Sequence, residues 1–325
     1  MALSSTASAP DEAPATTSDP SLGDVLCEVR DLHHRYGEHV ALAGVDLSVR
    51  GGEIVAVLGK NGSGKTTLFR LLSTLLPIQK GAAIIDGLDV SQHVHAVRSR
   101  LGIIFQSPSL DIKLTVDENL RCQGALYGLS GRELSNRCDE LLNQFALTDR
   151  RRDFCQTLSG GLKRRVELAK GLLHRPRVML LDEPSTGLDP AARLSLWEAL
   201  QQLADSGVAV LLTTHLMEEA AKANRVVLMD QGQKIADDTP SRLRAGLGGG
   251  VLTIVPDDIA TAKETLQREL QLDTQTVGET LRTPCDAPEL VATVSRILGD
   301  NVQSISIGRP NLEDVFVAKT GKQFQ

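Results

Sequence analysis

Three short stretches of this chain combine residue types that handle phosphate. Residues 59–66 read Gly-Lys-Asn-Gly-Ser-Gly-Lys-Thr and fit G-x-x-x-x-G-K-[ST] in full. In that pattern Gly59, Gly62 and Gly64 let backbone N–H groups, Asn61 among them, curl around phosphate oxygens at a helix N-terminus. Lys65 is placed to bridge β- and γ-phosphates, Thr66 to hold a Mg²⁺ ion and Thr67 to reach the α-phosphate. A glycine-rich turn without function is the plain alternative, and an apolar run before the loop with a helical pattern after it counts against that. Further on, the apolar run 178–181 ends in Asp182-Glu183. Asp182 suits the Mg²⁺ shell and Glu183 suits a general base polarising an attacking water. Acids at strand ends are common, so this pair alone is weak. Between the two lies Leu158-Ser159-Gly160-Gly161-Leu162-Lys163-Arg164-Arg165. Ser159 reads as a helix N-cap, and Gly160 and Gly161 bare the N–H groups at a positive helix end. That makes a second phosphate-binding surface in one chain. Its bland reading is a capped helix with a basic outer face.

The elements around these stretches alternate. Residues 25–30 and 42–49 read as strands framing a turn-rich segment at 34–37. The buried strand 54–58 then precedes the glycine loop and a helix over 68–76. Helical periodicity runs from about 117 to 158. A helix from Pro190 leads to the apolar strand 208–212 and Thr213-Thr214-His215, and 226–236 reads as a hairpin around a Gly-containing turn. Gly-rich residues 246–250 form a linker. Beyond it strand 251–255, helix 257–270, strand 276–282, helix 288–298 and strand 302–307 suggest a small α+β domain. Strands alternating with helices through the middle imply an α/β core with a mainly parallel sheet.

Composition narrows the classes. At 325 residues, 41% apolar and 23% charged, the chain is expected to form roughly two globular domains. A net charge of −6 supplies no basic field for nucleic acid, so phosphate must be held locally. No apolar stretch nears the roughly 18–20 residues a membrane span requires. Residues 1–24 lack a basic start and an apolar segment, so they are expected to be a disordered tail rather than a secretory signal. Cys27, Cys122, Cys138, Cys155 and Cys285 lack metal spacing and read as reduced, inert packing thiols. His33, His34, His93 and His95 read as surface histidines, and Lys163-Arg164-Arg165 as a solvated helix face.

Lys65, Ser159, Asp182 and His215 follow one another in the order and spacing of the nucleotide-binding subunits of ABC transporters. From about residue 25 the chain resembles that family over nearly its whole length. The resemblance implies a P-loop NTPase core of the ABC ATPase type, with an antiparallel β subdomain and a helical subdomain. It places an ATP-binding domain at 25–245 (helical subdomain about 107–170), a linker at 246–250 and a C-terminal α+β accessory domain at 251–325. By the same resemblance Tyr36 stacks on adenine, Gln106 senses Mg²⁺ and faces the membrane partner, and His215 contacts the γ-phosphate. The segment Ser185-Thr186-Gly187-Leu188-Asp189 resembles the loop that communicates between two subunits, with Asp189 at the nucleotide. Leu162 departs from the Gln most common there, a change expected to spare hydrolysis and to alter a polar contact near the ribose. Ser107-Pro108-Ser109-Leu110-Asp111, Glu118-Asn119-Leu120 and Asn311-Leu312-Glu313-Asp314-Val315-Phe316 are similar to the daunorubicin-resistance type of drug-export ATPases, although a capped amphipathic helix accounts for the last almost as well.

The implied protein uses ATP and Mg²⁺ and hydrolyses ATP. It works in a head-to-tail dimer with a second copy or a homologous subunit, each ATP held between one Lys65 loop and the other chain's Ser159 helix. It energises export of a small molecule, drug or lipid through a separately encoded membrane permease, from the cytoplasmic face, with no nucleic-acid partner. Rival readings are an importer subunit, a soluble ABC-type ATPase acting on ribosomes or DNA, and a catalytically dead regulatory subunit. A single cassette without heptad insertion or basic arm argues against the second. The joint presence of Lys65, Asp182, Glu183 and His215 argues against the third.

Overall fold

A computed structural model describes residues 23–285 and 289–321. Of the expected tail at 1–24, residues 1–22 lie outside the described residues. The remaining two are tied down: the Gly23 N–H donates to Gly51 O and the Gly51 N–H to Asp24 O, both at 2.9 Å. Residue 288, the expected start of one helix, also lies outside.

In chain order the elements are β1 (Val25–Tyr36), β2 (His39–Arg50), β3 (Ile54–Gly59), α1 (Lys65–Leu72), β4 (Lys80–Ile85), β5 (Leu88–Asp89), α2 (Val94–Arg100) and β6 (Leu101–Ile104). Then follow α3 (Val116–Leu126), α4 (Gly131–Gln144), α5 (Gly160–Gly171), β7 (Val178–Asp182), α6 (Pro190–Asp205), β8 (Ala209–Thr214), α7 (Met217–Ala220), β9 (Arg225–Asp230), β10 (Gln233–Asp238) and α8 (Pro240–Ala245). The last part holds β11 (Val251–Pro256), α9 (Ile259–Leu270), β12 (Gln275–Val277), β13 (Thr280–Pro284), α10 (Glu289–Leu298), β14 (Val302–Gly308) and α11 (Leu312–Thr320).

The core sheet runs β10-β9-β3-β8-β7-β6, parallel except for the hairpin edge strand β10. All six residues of β3 are buried, as a central strand covered on both faces requires. At about 1.5–3 kcal/mol for each large apolar side chain removed from water, this strand is a main anchor of the fold. One apolar cluster joins one face of the sheet to α3, α4, α5 and α6, and a second joins the other face to α1 and the antiparallel sheet β2-β1-β4-β5. The protein is thus α/β, a mostly parallel core sheet with an antiparallel β subdomain on one face and a helical subdomain on the other. Among the described residues no helix is long and apolar enough to cross a membrane.

Several expected boundaries move. The segment 34–37 is not a turn, because β1 continues through Tyr36 paired with His39 and the chain reverses at Gly37. Helix α1 stops at Leu72, since Thr74 adopts φ 62° and cannot continue it. The helical stretch 117–158 comprises α3, α4 and two short 3₁₀ turns, Thr148–Arg150 and Cys155–Thr157. The expected strand 276–282 is a hairpin, β12 and β13, turning at Gly278 with φ 57°.

The C-terminal sheet, β12-β13-β11-β14, is antiparallel and has α9 and α10 packed on its apolar cluster. Helix α11 does not join that cluster. Its Leu312 and Val315 belong to the core of the parallel-sheet body, where α11 packs against α8. A capping box between Asn311 and Asp314 starts α11, and Arg282 Nη1 of β13 donates to Asp314 Oδ1 at 2.9 Å, tying the two units together.

Candidate active site

The parallel arrangement brings the C-terminal ends of β3, β8, β7 and β6 to one edge in adjacent order. Register pairs Leu58 with Thr214, Asp182 with Thr213 and Ile104 with Leu181. Gly59, His215, Asp182-Glu183 and Gln106 therefore emerge side by side, at the edge where open α/β sheets take their ligands.

Two glycines of the loop after β3 are there for space. A Cβ at Gly59 would stand 2.5 Å from Met229 O and from Ser63 Oγ. At Gly64, φ is 101° and a Cβ would stand 2.5 Å from Ala41 O. Lys65 is buried at the start of α1, where its Nζ donates to Gly59 O at 2.7 Å and Lys60 O at 2.9 Å. Burial lowers its pKa, opposed by the charges of Glu183 and Asp182. Thr66 is exposed and Thr67 buried in the same first turn. A cleft lined by Tyr36, Asn61, Gly62, Lys65, Thr66 and Glu183 opens here, with Gly64 and Thr67 also in its wall. Tyr36 is 43% exposed and rests edge-on against His34, ring centroids 4.7 Å apart. His34 is therefore a buried support for Tyr36 rather than a surface histidine.

The acidic end is dense with contacts. Asp182 is buried, and burial pushes its carboxyl above the usual range despite the bond it accepts from Thr213 Oγ1 at 2.5 Å. The same Thr213 Oγ1 accepts the Glu183 N–H at 2.9 Å. Glu183 holds φ at 45°, a left-handed backbone that costs a non-glycine residue about 1–3 kcal/mol and persists only where neighbours impose it. Thr213 is that neighbour, and the turn closes with the Thr186 N–H on Glu183 O at 3.2 Å. The strained backbone aims the carboxylate into the cleft. Its Oε2 receives Gln106 Nε2 at 3.3 Å and Thr186 Oγ1 at 3.4 Å, and His215 Nδ1 lies 3.2 Å away.

Ser159, Gly160 and Gly161 lie outside the cleft lining. Ser159 caps α5, its Oγ accepting the Leu162 N–H at 3.3 Å. Asp189 caps α6 in the same way through the Ala192 N–H at 3.0 Å. A Cβ on Gly161 would stand 2.8 Å from Ala192 Cβ, so the two helix starts are in direct contact. Leu162 packs against the core cluster of the parallel-sheet body.

Sequence reasoning passed over several residues that matter here. His39 and Ala41 also line the cleft and carry no recognisable signal. Thr213 could have been suspected from its place two residues before His215 on an apolar strand. Arg164 is a correction: it is not on a solvated face but buried, its side chain 7% exposed beside Glu167 at 3%. The i,i+3 opposite charges were the available signal. Cys122 is exposed while the other four cysteines are buried, and burial pushes the Cys27 thiol up to about 12.

A profile of the ABC transporter family matches residues 42–186. The daunorubicin resistance ATP-binding protein DrrA2 of Streptomyces coeruleorubidus is 40% identical over 301 residues, covering 89% of this chain and 93% of its own. The chain belongs to the ABC transporter family. The Nod factor export ATP-binding protein I of Cupriavidus metallidurans is another such relative, 37% identical over 92% of this chain and 99% of its own. Among solved structures, an ATP-binding subunit of an ABC transporter superposes with a TM-score of 0.62 at 32% identity, covering 69% of this chain and 93% of that one. The dimeric post-hydrolysis state of the ATP-binding cassette MJ0796, bound to ADP and Pi, superposes with a TM-score of 0.59 at 25% identity, covering 66% and 98%. As an ABC transporter ATP-binding subunit the chain binds and hydrolyses ATP, and its resemblance to the daunorubicin-resistance type holds.

Proposed function

We propose that this subunit powers export of a small molecule, drug or lipid through a separately encoded membrane permease, working as one half of a head-to-tail ATP-binding dimer at the cytoplasmic membrane face. One observation carries the dimer: Ser159, Gly160 and Gly161, read as a second phosphate-binding surface, lie outside the cleft that Lys65 lines. A second chain turned head to tail supplies its Ser159 helix to that cleft, and symmetry then gives two such sites. Export rests on relatives named for drug resistance and Nod factor export.

In this reading Tyr36 offers its exposed ring to the adenine, while the N–H groups around Asn61 and Gly62 and the Thr67 side chain hold the phosphates. Lys65 leaves its two loop carbonyls for the β- and γ-phosphates, exchanging neutral acceptors for charged ones. Glu183 accepts the proton of the attacking water, with Gln106 and His215 fixing its carboxylate and the γ-phosphate end of the cleft. The Thr66 hydroxyl, the Asp182 carboxylate and the Gln106 amide oxygen make a hard-oxygen donor set fit for Mg²⁺, and a cation would relieve the desolvated Asp182. When bound, Mg²⁺ supplies charge neutralisation at the transferring phosphoryl group. Across the interface Ser159 Oγ and the N–H groups of Gly160 and Gly161 bind the γ-phosphate, with Asp189 beside them. Loss of that phosphate removes charge-assisted bonds and lets the halves part.

The test is to purify the tagged chain from detergent-solubilised membranes of its own host. Recovery with a stoichiometric polytopic protein lacking its own ATPase supports the export assignment. Recovery only with ribosomes or DNA would overturn it while leaving the ATPase intact.

A further inference from the structure

Arg164 does something that neither capping nor phosphate binding requires. Its Nε donates to Pro184 O at 2.6 Å and its Nη1 to Phe105 O at 3.1 Å. Pro184 directly follows Glu183, and Phe105 directly precedes Gln106. Nη1 also donates to Glu167 Oε2 at 2.9 Å. The other oxygen of Glu167 accepts the Ser109 N–H at 2.7 Å, so the segment is held on both sides of Gln106. Lys170 Nζ, one turn further along α5, donates to Ser109 O at 2.5 Å.

We propose that the buried Arg164–Glu167 pair is a positioning element that sets Gln106 against Glu183 and ties both to the Ser159 helix. The physical reason is geometric. Gln106 and Glu183 follow two different strands: Glu183 is held to β8 through Thr213, whereas Gln106 lies past the end of β6 on an irregular segment outside the sheet ladder. Their side chains meet at 3.3 Å, a contact that about 1 Å of relative drift would open. A planar guanidinium with donors at fixed angles bonds both backbones at once, which a lysine ammonium on a flexible stem cannot reproduce. Arg164 also sits five residues after Ser159 on α5, so a displacement of that helix moves both segments together. A phosphate engaged by Ser159 in one half of the dimer would thereby be felt at Glu183 of the same chain, which serves the other nucleotide.

This inference rests on the assignment of Glu183 as the base, and the experiment separates the two. In the full-length chain the double variant Arg164→Met/Glu167→Leu replaces the pair with apolar side chains of similar length and takes these partners from Pro184 O, Phe105 O and the Ser109 N–H. The expected result, read well below the melting transition, is ATP affinity within about twofold and turnover reduced about 100-fold, beside a lowered melting temperature from the backbone groups that lose their partners. Turnover near that of the unaltered protein below the melting transition would make the pair a stability feature only and overturn the proposal. Should the double variant fail to fold, Arg164→Lys retains the charge opposite Glu167 but cannot span both carbonyls. It is expected to lose turnover with ATP affinity kept, and full turnover in it would equally overturn the proposal. Glu183→Gln measured in parallel must lose turnover. If it does not, the base assignment itself falls and this inference with it.

Discussion

The parallel core sheet and the C-terminal antiparallel sheet are both well packed, but they spend their interiors differently. The cluster under the C-terminal sheet is apolar: Leu252, Ile254, Leu266, Leu281, Val294 and Leu298 at its centre. The core sheet instead tolerates buried Lys65, Asp182, Arg164 and Glu167, and holds Glu183 at a positive φ. Each of these costs free energy that an apolar residue would not. The buried charges and the positive φ of Glu183 lie around the edge proposed for the chemistry, while other positive-φ residues, such as Thr74 and Gln271, lie at helix ends elsewhere. In the C-terminal part the positive-φ residue Gln271 ends α9 and the buried Asp314 pairs with Arg282, both outside the apolar cluster, and the sheet is connected to the core through α11 and that bond.

This contrast can be broken. The largest effect is expected from Glu183→Gln, which should lower ATP turnover about 10²- to 10⁴-fold while ATP still binds, as read by steady-state hydrolysis beside a nucleotide titration. Near-normal turnover would remove the chemical meaning of the strained backbone. Leu252→Ala, at the centre of the other sheet, should cost about 2–5 kcal/mol in denaturant unfolding. Turnover below the melting range should be unchanged in that variant, and a parallel loss of hydrolysis would show that the two sheets work as one unit. Lys65→Ala should weaken ATP binding about 10- to 100-fold, the size expected for lost hydrogen bonds between charged groups. Unchanged affinity would count against the loop assignment.

The smallest effect sharpens the comparison through pH. Burial holds the Asp182 pKa above its unfolded value, so the stability this group contributes is fully present below the usual carboxylate range and is lost as pH rises through the raised value. Ionised Asp182 is then a net cost at neutral pH in nucleotide-free protein. Asp182→Asn should raise the melting temperature at pH 7, and the gain should shrink as pH falls to the usual carboxylate range. A gain independent of pH would point to packing rather than charge.

Much of the core was legible because its signals are local. The strand before Gly59, the loop glycines, the apolar strands ending in Asp182 and Thr214, and the Ser159 cap each depend on residues within about one turn of helix or one short strand. Residues 80–100 give no secondary-structure reading, because β4 opens Lys-Gly-Ala-Ala with little alternation and α2 spans only seven residues. The hairpin β12–β13 reads as one strand in sequence, since Gly278-Glu279 between Val277 and Thr280 is a weak turn signal without its partner strand in view.

What the sequence by itself determined was which residues could do chemistry and in what order: Lys65, Ser159, Asp182 and Glu183 lie in segments whose local pattern suggests phosphate or acid–base work, whereas Gln106 and His215 stand out only by resemblance to the family. What only the tertiary structure decided was their mutual placement. Parallel register sets four strand ends in one row, and Thr213 imposes the conformation of Glu183 across a strand boundary. Arg164, read locally as a solvated basic residue, is buried and links Phe105, 59 positions before it, to Pro184, 20 positions after it. Local patterns report the chain's own backbone preferences, whereas a buried charge is tolerable only if distant segments fold back to partner it, and no window of sequence contains those partners.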